Sequence, residues 1–190
     1  MMFRRTTVLD AVNDILTSSQ LSPVESLNSG DIDAETAENI LAEVGTETLT
    51  IGWYWNTETL ELSPDNDGNI NLPNSCLKID ASDSSLEVVQ RGTRLYNLTD
   101  HTYVFSKPVE LTMVLALDFE ELPETCRRYI SKKAALIFQE KTVGDPSVIQ
   151  LIHRESLEAW AKMLKEDLDV CDYNHINGSF ILRRIGAEGW

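Results

Sequence analysis

The feature that most constrains this chain is a change of hydrophobic period. Apolar residues recur at helical spacing up to about residue 52 and again from residue 118. Between those points the pattern is short alternating runs cut by turn residues. A chain of 190 residues has room for one substantial core, or for a core with a smaller module appended. The order of periods therefore predicts an α+β fold. It comprises an antiparallel helical bundle of about four helices, residues 1–52 and 118–172, with an antiparallel β-sheet module, residues 53–117, inserted between the second and third helices.

Thr6 or Thr7 can cap a first helix whose Val8, Leu9, Val12, Ile15 and Leu16 share one face, and which stops before Pro23. A turn-prone stretch from Ser22 to Gly30 leads to a second start at Asp31 or Asp33. Ala34, Ala37, Ile40, Leu41 and Val44 then lie on one side, and Gly52 closes the helix. After Trp53-Tyr54-Trp55, seven runs read as strands: Thr59–Leu62, Ile70–Leu72, Cys76–Ile79, Leu86–Val89, Thr93–Leu98, Thr102–Phe105 and Val109–Leu117. Turn residues separate them at hairpin spacing, so one antiparallel sheet of about four to six strands is expected.

Pro123 stands in the first turn of a third helix that ends by Gly144. Asp145-Pro146 opens the last and longest, with a broad apolar stripe of Val148, Leu151, Ile152, Leu157, Ala159, Trp160, Met163, Leu164 and Leu168. The segment 173–190 leaves the helical pattern yet carries Phe180-Ile181-Leu182 and Trp190. Apolar side chains on such a segment dock on the chain's own surface or in a partner's groove.

Charge is distributed unevenly. The chain has 31 acidic and 16 basic residues, net −15, and between Thr6 and Leu77 there is no Lys or Arg at all. A region without cations cannot displace counterions from a phosphate backbone, so a grip on nucleic acid is disfavoured. A solvated surface, a surface that repels DNA and a face for a basic partner all fit the pattern. Cys76, Cys126 and Cys171 are isolated from one another, which points to a reducing compartment rather than a disulfide framework. Arg4 and Arg5 have the charge of an export signal, but Asp10, Asn13 and Asp14 interrupt its apolar stretch. No window approaches the roughly twenty apolar residues of a membrane span. Neither export nor membrane insertion is expected.

No constellation for chemistry stands out. His101, His153 and His175 have no metal-ligand spacing, and no nucleophile elbow or phosphate-binding glycine motif occurs, so no catalytic residue, metal or cofactor is expected. Glu120-Glu121 or Glu58 with Glu61 could be proposed as a glycosidase carboxylate pair, against which stands their reading as helix N-terminal or solvent-facing acids. Trp53-Tyr54-Trp55 could line a sugar site, against which stands a place in the core where helix meets sheet.

The order of particular residues adds to this. Ala11-Val12-Asn13-Asp14-Ile15-Leu16 is followed by Pro23, Ile40-Leu41, Gly52-Trp53, Leu72-Pro73, and Arg91-Gly92 with Leu95-Tyr96 and Asp100. The most specific stretch runs from Asp118-Phe119-Glu120-Glu121-Leu122-Pro123 through Arg127-Arg128-Tyr129-Ile130 to Lys133-Ala134-Ala135 and Phe138. Over about residues 8 to 176 the chain resembles the tail tubular protein A family, the head-to-tail adaptors of T7-like podoviruses. It departs from the family pattern in a second helix that is wholly acidic where the family's is mixed.

The resemblance implies a structural virion protein without enzymatic activity, made and assembled in the host cytoplasm. It implies a ring of about twelve copies between the portal protein and the tail nozzle protein, which is tail tubular protein B-like, with DNA as passing cargo. On that basis Asp31, Asp33, Glu35, Glu38 and Glu43 are expected to face the channel. Phe180, Ile181, Leu182 and Trp190 are expected to dock on the portal, with Arg183 and Arg184 on its acidic residues. The competing readings are a tail-associated glycan or peptidoglycan hydrolase using a carboxylate pair, and a small intracellular interaction module.

Overall fold

The computed structural model describes residues 4–172. In chain order the elements are α1 (Val8–Ser18), α2 (Ile32–Thr50), β1 (Thr57–Leu62), β2 (Cys76–Ala81), β3 (Val88–Arg91), β4 (Arg94–Asn97), β5 (Val109–Leu115), a 3-10 turn at Phe119–Glu121, α3 (Glu124–Thr142) and α4 (Pro146–Asp172). Four helices with antiparallel strands between the second and third make the α+β fold that the periods predicted. Among the described residues, one compact unit takes in the chain up to Thr48 and from Asp118 onward, and the other is Leu49–Leu117.

In the helical unit, Thr7 rather than Thr6 caps α1. Its hydroxyl accepts the Asp10 N–H while the Asp10 carboxylate accepts the Thr7 N–H, a reciprocal box that satisfies two otherwise orphaned donors. Ala11, Val12, Ile15 and Leu16 form its buried face. Asp31 caps α2 by accepting the Ala34 N–H at 2.9 Å, and Ala34, Ala37, Ile40, Leu41 and Val44 are buried. This helix runs through Gly45, and the hydroxyls of Thr46 and Thr48 bond back to the carbonyls of Ala42 and Val44.

The α3 helix packs against both α1 and α4. A three-residue link, Val143-Gly144-Asp145, turns α4 back along α3, and the contacts run in antiparallel order: Lys132 with Glu155, Tyr129 with Trp160, Thr125 with Glu166. Pro123 takes the cap position of α3, one residue before the first turn in which it was expected. The stripe of α4 is wider than the face it buries. Ile152 and Met163 are enclosed, while Leu151 and Leu157 remain exposed. One packed partner covers only part of a helix's circumference, and nine apolar positions exceed it.

The second unit divides its strands between two sheets instead of one. A three-stranded antiparallel sheet has the order β1-β5-β2, and β3 and β4 form a separate hairpin. The last strand in sequence thus lies in the middle, paired with β1 from Thr57↔Val114 to Leu62↔Val109. Its composition explains the place. Val109, Leu111, Met113 and Val114 are all buried, whereas β1 carries Glu58 and Glu61 and suits an edge. The runs Ile70–Leu72 and Thr102–Phe105 do not become ladder strands, and only single bridges occur there, such as Asn69↔Val104 and Asn97↔Thr102. Their apolar residues Ile70, Leu72 and Phe105 nevertheless join Cys76, Leu95, Val109, Leu111 and Met113 in the core. Alternation in these runs reports burial, not pairing.

Asn56 ties the start of this unit to the central strand. Its amide donates to the carbonyls of Leu49 and Leu115, and its Oδ1 accepts the Trp53 N–H. Trp53 is buried and lies parallel to Trp55 at 6.3 Å, so this tryptophan is core and not an open sugar platform.

Candidate assembly surfaces

The residues proposed for chemistry are occupied structurally or kept apart. Glu58 and Glu61 are three positions apart on β1 and project to opposite faces, opposite Met113 and Glu110 respectively. Glu120 accepts the N–H of Val8, and Glu121 lies beside it in the 3-10 turn. His101 sits in a turn with φ +52° and His153 on α4. Among the described residues no group of three or more His, Cys, Asp or Glu is placed to hold a metal ion, and no helix is long and apolar enough to cross a membrane.

What the helical unit builds instead is a strap. The N–H and hydroxyl of Thr6 both donate to the Glu124 carboxylate, and the Thr6 carbonyl accepts from Nη1 of Arg127 at 2.8 Å. Arg127 is buried, and its guanidinium donates also to the carbonyls of Leu122 and Glu120. One planar fork thus holds the segment before α1, the 3-10 turn and the start of α3 together. Burial by itself would raise the Glu124 pKa, but the Thr6 hydrogen bonds and the Arg128 charge outweigh it and hold the carboxyl below its ordinary value. Next to it, burial pushes the Cys126 thiol up to about 12, Arg127 opposing and Glu166 reinforcing the rise, so this cysteine is a packing residue and not a nucleophile.

The five acids expected at a channel do not form one stripe. Asp31 is engaged as the cap of α2, and Asp33 is exposed in its first turn. Glu35 and Glu43 are exposed two turns apart, away from the buried side, and Glu38 is half-buried at its margin. Elsewhere in this unit a cleft of about 460 Å³ between α1, α3 and α4 gathers Arg128, Lys132 and Lys162 with Asp14, Glu155 and Glu158. Its cations are largely matched, Lys132 by Glu155 at 2.8 Å and Arg128 by Glu124 at 3.0 Å. Phe180, Ile181, Leu182, Arg183, Arg184 and Trp190, which were expected to dock on the portal, lie outside the described residues.

The β unit contributes a cluster that the sequence reading missed. Arg91 lies 3.6 Å over the ring of Tyr96, and Arg94 lies 4.3 Å over that of Tyr103. The two rings meet edge to face at 4.8 Å. The signal was the turn Arg91-Gly92-Thr93-Arg94, whose two-residue loop puts the arginines directly opposite each other.

A family model described as tail tubular protein matches residues 9–173. The chain is 32% identical over 138 residues to tail tubular protein A of Klebsiella phage KP34, a match that covers 72% of this chain and 74% of that protein. The match runs through both units, from α1 to the end of α4. Together with the four helices and the antiparallel strands between the second and third, it shows that the chain belongs to the tail tubular protein family and is a structural component of a phage tail.

Proposed function

We propose that this protein is a ring-forming adaptor that joins the portal to the tail nozzle and forms part of the channel through which DNA leaves the capsid, with no catalytic step of its own. The observation that carries this reading is the family match over residues 9–173. A closed ring needs two different surfaces on each copy that fit head to tail. The exposed Leu151 and Leu157 of α4 are apolar side chains available for such contacts. The exposed acids Glu35 and Glu43 suit a wall that passing duplex does not adhere to. In this role Asp31, Asp33 and Glu38 add negative potential beside them, and residues 173–190 engage the portal through Phe180, Ile181, Leu182, Arg183, Arg184 and Trp190.

Analytical ultracentrifugation of the purified chain, alone and with a portal ring, tests the reading. The expected result is a closed oligomer that co-sediments with the portal. A chain that stays monomeric and ignores the portal at every concentration would sink it.

A further inference from the structure

The β unit holds two pairs of like charges that face each other directly across a strand pair. Arg91 stands opposite Arg94 in the β3–β4 hairpin, and Glu61 stands opposite Glu110 between β1 and β5. All four side chains are exposed, and none forms an ion pair within the described residues. Like charges at directly opposed positions are destabilising. A chain with almost twice as many acids as bases nonetheless leaves two guanidiniums without a carboxylate.

The two pairs lie on different sheets. Leu95 alternates with Arg94 and Tyr96, and Leu111 alternates with Glu110. Both leucines belong to the one core, so each charged pair stands on the face turned away from it. The rings of Tyr96 and Tyr103, packed edge to face, hold the guanidiniums in place, which reduces the ordering a partner must supply. Arg and Tyr are also the residue types over-represented where interfaces concentrate their binding energy.

We propose that the Arg91/Arg94 pair of one copy seats on the Glu61/Glu110 pair of the next, so that each junction of the ring relieves both repulsions at once. This rests on the ring reading above. It adds to it the contact that makes the assembly head to tail, since the two complementary surfaces lie on different sheets of one copy. A second copy is the occupant these residues favour, because every copy carries an exposed, directly opposed carboxylate pair, Glu61 with Glu110, that matches the arginine pair in number and is opposite in sign.

Charge exchange tests the contact by sedimentation of the full chain, with and without a portal ring. Arg91→Glu with Arg94→Glu makes both surfaces acidic, and Glu61→Arg with Glu110→Arg makes both basic. Each variant alone is expected to associate on the order of 100-fold more weakly than the native chain, as like charge does at an interface. An equimolar mixture is expected to recover native association, because an alternating ring again sets guanidinium against carboxylate at every junction. The neutral variants Arg91→Gln with Arg94→Gln, and Glu61→Gln with Glu110→Gln, should each weaken association about tenfold.

Native association in either charge-exchanged variant alone, or no recovery in a mixture whose members keep the native circular dichroism and melting temperature, overturns the contact and leaves the ring reading intact. A native chain that never associates removes both. Duplex DNA binding that is lost in Arg91→Glu with Arg94→Glu would assign the arginines to phosphate, which also overturns the proposal.

Discussion

At Gly52 the backbone turns with φ +82°, and a Cβ placed there would lie 2.9 Å from Cγ2 of Val114 on the central strand. Both the left-handed conformation and the contact exclude a side chain. Gly52→Ala is therefore expected to lower unfolding stability by ~1–3 kcal/mol in urea titration. Adding Val114→Ala would remove the contact but not the backbone strain, so it should not restore what Gly52→Ala loses. Arg127 is the corresponding case in the helical unit. A lysine retains the charge but not the fork that reaches three carbonyls, and Arg127→Lys should cost ~2–4 kcal/mol by the same measurement.

Among the elements, the strap before α1 depends on ionised carboxylates. The folded pKa of Glu124 lies below its unfolded value, as does that of Asp10, where the Thr7 hydrogen bonds and Arg4 outweigh the opposing effect of burial. For a depressed carboxylate the contribution is fully present above the unfolded pKa and is lost as pH falls through the folded one. Stability should thus decline below about pH 4.3, the ordinary glutamate value. Glu124→Gln should flatten part of that decline in acid titrations followed by circular dichroism, while lowering stability at neutral pH.

The helices were legible as elements because their signals are local. Thr7 with Asp10, Asp31 with Ala34, and Pro146 after Asp145 each act within one turn. The strand order was not. That β5 would enter between β1 and β2 depends on which run could be paired along both edges, a property of the assembled unit.

For the whole molecule, the consequences are those of assembly. Reversing Glu35, Glu38 and Glu43 together to lysine would make the proposed channel wall attract the duplex, and genome ejection by phage carrying the triple variant should slow or stall. Unchanged ejection kinetics would remove these residues from the channel. Truncation after Tyr173 should abolish portal binding in sedimentation while leaving the thermal melt of the remaining chain unchanged. A truncated chain that still binds would place the portal contact elsewhere.

The period of the apolar residues and the capping chemistry, both local properties, determined the helices and the position of the β segment between them, while the family resemblance rested on the order of particular residues, above all Asp118 to Phe138. Tertiary structure alone decided that the strands split into two sheets and that Arg127 clamps three segments from inside. It also decided that Arg91 and Arg94 stack on tyrosines, one of them from outside their own hairpin. These arrangements join residues far apart in the chain. Their energies depend on which surfaces meet after collapse, and no window of sequence contains that information.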